Sequence, residues 1–180
     1  MHGAFCGYTA CVATEQRPPN LRTALGGAAA LVILDALVLN QGVIAVLVGL
    51  WTLFVSLPRA AFNKVPDVRR VRLVRAGIFL AAVVLVFTLN WANNQLAKHR
   101  ADGLVAAVKA YQLRHQRYPD ELEDLAPDFI ASVPMAKYTL MSGSFQYWSS
   151  PQRHTLLYVV FPPFARAVYN FEAGRWGSLD

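Results

Sequence analysis

Residues 73–92 read LVRAGIFLAAVVLVFTLNWA, and residues 93–115 continue as NNQLAKHRADGLVAAVKAYQLRH. The first stretch is apolar on every side and long enough to cross a hydrocarbon core. In the second, Leu96, Leu104, Val105, Val108, Tyr111 and Leu113 recur at three- and four-residue intervals. Lys98, Arg100, Asp102, Lys109 and Arg114 fall between them. That spacing predicts one helix approaching about 40 residues, apolar all round at first and amphipathic afterwards. Gly103 is its expected soft point.

Two further apolar runs precede it. Residues 23–40 read TALGGAAALVILDALVLN, and residues 42–58 read GVIAVLVGLWTLFVSLP. Leu39-Asn40-Gln41-Gly42 interrupts them as a turn, so 23–58 is expected to be a tight helical hairpin. Over its 180 residues the chain is 55% hydrophobic and 16% charged, with a mean hydropathy of +0.32. A soluble domain carries about 25% charged residues. The composition argues against a soluble enzyme with one large core, and equally against a disordered chain.

The net charge of +6 is concentrated in one place. Residues 58–76 hold Arg59, Lys64, Arg69, Arg70, Arg72 and Arg75 against Asp67, which gives +5. Cationic loops resist translocation, so 59–76 is expected to be a cytoplasmic loop, along with the segment 1–22 that holds Arg17 and Arg22. The Asn40–Gln41 turn and residues 93–180 then lie on the far side, with Trp91 at the outer interface. Membrane topology explains this excess better than nucleic-acid binding, because no recognition motif accompanies it. Residues 1–22 lack the basic start and apolar core of a cleavable signal. Cys6 and Cys11 lie in that segment as expected free thiols.

Within the apolar runs Asp35 is the one acid; an interfacial or helix-contact role is expected of it, with a specific intramembrane partner contact and a proton relay as the alternatives. Gly26 and Gly27, with Ala28 to Ala30, offer a small-residue face for close helix approach.

After the long helix, Pro119 forces an end at or before Tyr118. Pro119, Asp120 and Glu121 open a short second helix, in which Leu122 and Leu125 pack inward and which Pro127 closes. From residue 137 the period changes to two. Tyr138-Thr139-Leu140 reads as one strand, Phe145 and Tyr147 as part of a second, 156–161 as a central third, and 165–171 as a fourth. Turns fall at Gly143, at 149–152, at 161–164 and at Ala173-Gly174. Short connections imply an antiparallel meander, and a helix laid against it makes an α+β domain.

The helical stripe Leu104–Tyr111, followed by Arg117-Tyr118-Pro119 with Leu122 and Leu125, resembles the type IV pilin and type II secretion pseudopilin fold over roughly 77–180. Pilins carry a basic leader, a peptidase site and a Glu at the fifth mature position. Here Gly77-Ile78-Phe79-Leu80-Ala81-Ala82 puts Ala82 in the glutamate's place, and two extra helices precede it. The chain as a whole therefore resembles the type IV pilin accessory proteins. That resemblance implies a non-enzymatic inner-membrane factor, with a periplasmic pilin-like domain, that binds a cognate pilin or the pilus machinery and promotes assembly. An immunity or inhibitor protein acting on a toxin or membrane machine would use a similar body. So would a non-catalytic subunit or sensor of a membrane complex. Self-association stays open.

No catalytic constellation is legible. His99, His115 and His154 are dispersed, Asp120, Glu121, Glu123 and Asp124 suit an exposed helix start, and Ser142-Gly143-Ser144 is a turn with no helix after it. No cofactor, metal or nucleic-acid ligand is expected. The contacts expected besides lipid are made by Asp35, Gly26 and Gly27 in the membrane half, and by Tyr147, Trp148 and Trp176 in the exported half. Those three belong to a dense aromatic set, mostly core, whose outward members form a partner patch.

Overall fold

The computed structural model describes residues 20–141, 143–161 and 165–179; the Cys6 and Cys11 segment, Ser142 and the 162–164 turn lie outside them. Asn20 caps α1 (Leu21–Val32), its side chain accepting from the Arg22 N–H. The helix runs on as a wider π-helical stretch, Ile33–Leu39. Asn40 and Gly42 then turn the chain with left-handed backbones, φ 52° and 72°. A Cβ on Gly42 would stand 3.3 Å from the Phe87 ring, so the turn needs glycine for space as well as for its torsion. The return arm is α2 (Val43–Trp51), a π-helical turn Thr52–Ser56, and α3 (Leu57–Ala61). The expected hairpin is therefore present.

The long helix is longer than its apolar pattern. It is α4, Pro66–His115, with 50 residues. Val65 is extended and Pro66 sits in the first turn, where its missing N–H costs nothing. Asp67 lies in the first turn and Arg114 in the last, each sign suited to its end of the dipole. The expected basic loop 59–76 is thus corrected. It is α3 and the start of α4, with only residues 62–65 between them. Arginine is a good helix former, and Pro66 supplies the start. The helix passes through Gly103 unbroken and stops at Gln116, φ 55°.

Residues 21–39, 43–61 and 66–115 form three helices long and apolar enough to cross a membrane. Their packing is inside out relative to a soluble bundle. Ala24, Ala28, Ala36, Ala45 and Ala82 are buried between them, while Leu47, Phe54 and Val84 are exposed. Small residues inside and large apolar residues outside suit packing in lipid, where close approach drives association.

The short second helix is a 3₁₀ turn, Leu122–Leu125, closed by a reciprocal Glu121–Asp124 capping box. Both leucines are buried, as expected. Four strands follow: β1 (Gln146–Ser150), β2 (Arg153–Phe161), β3 (Ala165–Asn170) and β4 (Arg175–Leu179). They form an antiparallel meander in the order β1-β2-β3-β4. β2 is an inner strand, buried on both faces at its centre. Two strand assignments change. Tyr138–Leu140 is not a strand; its backbone turns towards the helical hairpin, and the Leu140 N–H donates to the Leu37 carbonyl at 3.1 Å. β4 takes its place, formed by a sequence with no apolar alternation.

One face of the sheet closes on α4. Leu104, Val108 and Tyr111 pack with Leu125, Leu156, Tyr158, Tyr169 and Phe171. Trp176 meets Tyr158 and Tyr169 edge-on, at 5.9 and 5.1 Å. Replacing Leu104 with Ala is expected to destabilise this core by about 2–5 kcal/mol. Replacing Leu113, exposed on the same helix, is expected to change stability by less than about 0.5 kcal/mol. Chemical denaturation of the two variants in detergent checks the difference.

Candidate docking surfaces

The apolar helices and the sheet domain meet at the hairpin tip, and Asp35 organises that tip. Its side chain is 0% exposed. One carboxylate oxygen accepts from the Gly42 N–H and the other from the Ala45 N–H, both at 2.7 Å. A helix start leaves its first N–H groups without intrahelical partners, and the N-cap Gly42 has no side chain to offer. Asp35 supplies the cap from the preceding helix instead, its two oxygens meeting the N–H groups at the start of α2. This is a helix contact within the chain. The partner is the backbone of the next helix, seven and ten residues ahead.

Around this cap lie polar groups with no hydrogen-bond partner among the described residues. They are both polar atoms of the Asn40 amide, the Oδ1 atoms of Asn90 and Asn94, and the Thr139 hydroxyl. Asn90 lies beside Gly42, Asn94 is one turn further along α4, and Thr139 precedes the residue bonded to Leu37. Arg100 ties the same loop to α4. It donates to the Met135 carbonyl at 2.7 Å and the Tyr138 hydroxyl at 2.6 Å.

The two glycines part company. A Cβ on Gly27 would stand 3.2 Å from Phe79, so Gly27 lies against α4, whereas Gly26 faces open space. The three aromatics also separate. Tyr147 is half-buried, donates to the Pro119 carbonyl at 3.2 Å and packs edge-on with Phe171. Trp176 is wedged on the core, its indole N–H donating to Asp102 at 3.3 Å. Only Trp148 stands clear, 59% exposed on the sheet face away from α4.

Sequence reading missed two features. His154 Nδ1 and Glu172 are 2.8 Å apart, joined because the β2 start meets the turn after β3. Burial raises the Glu172 carboxyl, but hydrogen bonds from the His154 ring and from backbone N–H groups outweigh it and hold the group below its ordinary value. His154 also stacks on Tyr118 at 4.0 Å. Among the described residues no three His, Cys, Asp or Glu side chains gather as a metal site. The second feature is Lys137, which is fully buried. A bulge between Val159 and Phe161 leaves Val160 out of the strand pairing, and Lys137 Nζ donates to its carbonyl at 2.8 Å. Burial lowers the lysine to about 8.

No family model, curated protein or solved structure matches this chain. Its chemistry is therefore read from its own geometry. That geometry offers a sheet face carrying the exposed Trp148, a polar joint at the hairpin tip and lipid-compatible helix surfaces, all suited to contact.

Two outcomes are expected. Asp35→Ala removes both caps of α2 and is expected to destabilise the chain by roughly 2–4 kcal/mol, with Asp35→Asn intermediate; thermal unfolding in detergent measures it. For Lys137 the pH dependence is specific. Below pH 8 it is charged in both folded and unfolded chains, and the buried charge costs stability. From about 8 towards 10.5 the folded chain loses its proton first, so stability rises with pH. Above about pH 10 the trend reverses, because burial raises Tyr118, Tyr147 and Tyr158 and the unfolded chain then ionises first. Between pH 8 and 9.5 a net gain of roughly 1 kcal/mol is expected, and Lys137→Met is expected to abolish it.

Proposed function

We propose that this protein is a non-enzymatic accessory factor of the bacterial inner membrane that binds a type IV pilin and promotes its assembly into a pilus. The observation that carries the reading is α4. One unbroken helix of 50 residues has an apolar half exposed on the bundle and a second half packed on an antiparallel meander. That two-part body resembles a pilin. The two preceding helices and Ala82 in the glutamate's position set the chain apart from a subunit that polymerises.

In this reading residues 20–22 and the arginine-rich end of α4 lie in the cytoplasm, following the positive-inside bias. The sheet domain lies in the periplasm. A pilin waiting in the membrane presents an apolar stem and an extramembrane head at once. A partner of the same shape can contact both, and two weak contacts on one body reinforce each other. The small-residue face at Gly26 suits the stem, and the exposed face with Trp148 suits the head.

Co-purification tests this directly. The full chain is expected to retain the cognate pilin on the order of a hundredfold better than residues 93–180 alone. Absence of any pilin with the full chain, under conditions that keep the membrane complex intact, contradicts the proposal.

A further inference from the structure

At the end of the bundle away from the hairpin tip, a cleft of about 490 Å³ opens between the α2–α3 arm and α4. This lies within the usual range for small-ligand sites. Arg59 reaches it from α3, and Arg72 and Arg75 from α4. Positions 72, 75 and 79 share one helix face by their three- and four-residue spacing. The same spacing gathers Thr52, Val55, Ser56 and Arg59 on the other wall, across the π-helical turn. Arg72 and Arg75 are half-buried.

None of these three arginines pairs with a carboxylate among the described residues, where the ion pairs are Arg114–Asp128, Arg117–Asp120 and His154–Glu172. Asp67 is the sole acid from 58 to 76 and does not line the cleft. Three guanidinium groups around one cleft repel each other, more strongly where apolar walls reduce the dielectric. A bound anion removes that repulsion. Guanidinium forks match the oxygens of a phosphate, and Ser56 adds a hydroxyl. Trp51 lines the cleft and is also exposed on the apolar helix surface, so the cleft opens where an acyl chain would lie.

We propose that this cleft binds the phosphate of an anionic glycerophospholipid. Basic pockets between transmembrane helices on the cytoplasmic side favour such headgroups. The proposal rests on the membrane placement of the helices and is independent of pilin binding. Inorganic phosphate shares the recognised chemistry, and the test separates the two sources.

The full chain is placed in nanodiscs of phosphatidylcholine with increasing phosphatidylglycerol, and its thermal unfolding is followed. Phosphatidylglycerol is expected to raise the unfolding temperature. In Arg72→Gln/Arg75→Gln, with the rise measured from the variant's own unfolding temperature in phosphatidylcholine alone, the fraction needed for half the rise is expected to increase at least tenfold. Arg69→Gln/Arg70→Gln removes the same charge outside the cleft and is expected to keep the wild-type response. Equal loss in both variants means diffuse attraction and overturns the site. A rise of the same size from inorganic phosphate in phosphatidylcholine discs overturns the lipid assignment. Incorporation with no response to phosphatidylglycerol overturns the proposal alone. Failure to enter nanodiscs overturns the membrane placement as well.

Discussion

A single helix belongs to two cores, and that constraint governs the rest of the molecule. Ala82 and Val86 of α4 are buried against α1 and the hairpin, while Leu104, Val108 and Tyr111 are buried against the sheet. Nothing between them breaks the backbone ladder. The rise of an α-helix makes 50 residues about 75 Å long. The helical bundle and the sheet domain are thereby held on one rod. The Leu140–Leu37 hydrogen bond and the Arg100 contacts brace the joint from the side.

The hairpin tip shows how a chain can turn between apolar helices without leaving polar backbone exposed. A helix that begins in a buried joint has N–H groups that need partners within the chain. Asp35 meets two of them with one carboxylate. An isolated acid in an apolar run is often the mark of a transport or proton pathway. Here its geometry serves the turn itself, with both oxygens committed to backbone donors. The π-helical stretch 33–39 widens the helix where this side chain leaves it.

Much of the architecture was legible in the residues. The apolar runs, the Asn40–Gly42 turn, the end of the long helix before Tyr118, the inward Leu122 and Leu125, and the central buried strand all followed from local patterns. What was hidden depends on partners distant in sequence. Asp35 acts on residues seven and ten positions ahead, and His154 meets Glu172 eighteen residues away across the meander. Lys137 is buried because a bulge in β2 leaves the Val160 carbonyl to be met. The start of α4 at Pro66 was masked because arginines lower hydropathy while favouring helix. β4 carries one large aromatic, Trp176, beside Gly177 and Ser178, so no alternation announces it. Tyr138–Leu140 has strand-forming residues, yet tertiary contact with the hairpin tip directs its backbone elsewhere.

The central claim is that the two halves of α4 occupy different solvents. Nitroxide labels at Val84 and Leu113 test it most directly, in full-length protein reconstituted into bilayers with Cys6 and Cys11 replaced by serine. Both positions are exposed on the same helix. The expected result is a label at 84 relaxed by dissolved oxygen and shielded from a water-soluble nickel chelate, with the opposite response at 113. Equal access of the nickel chelate to both labels would contradict it.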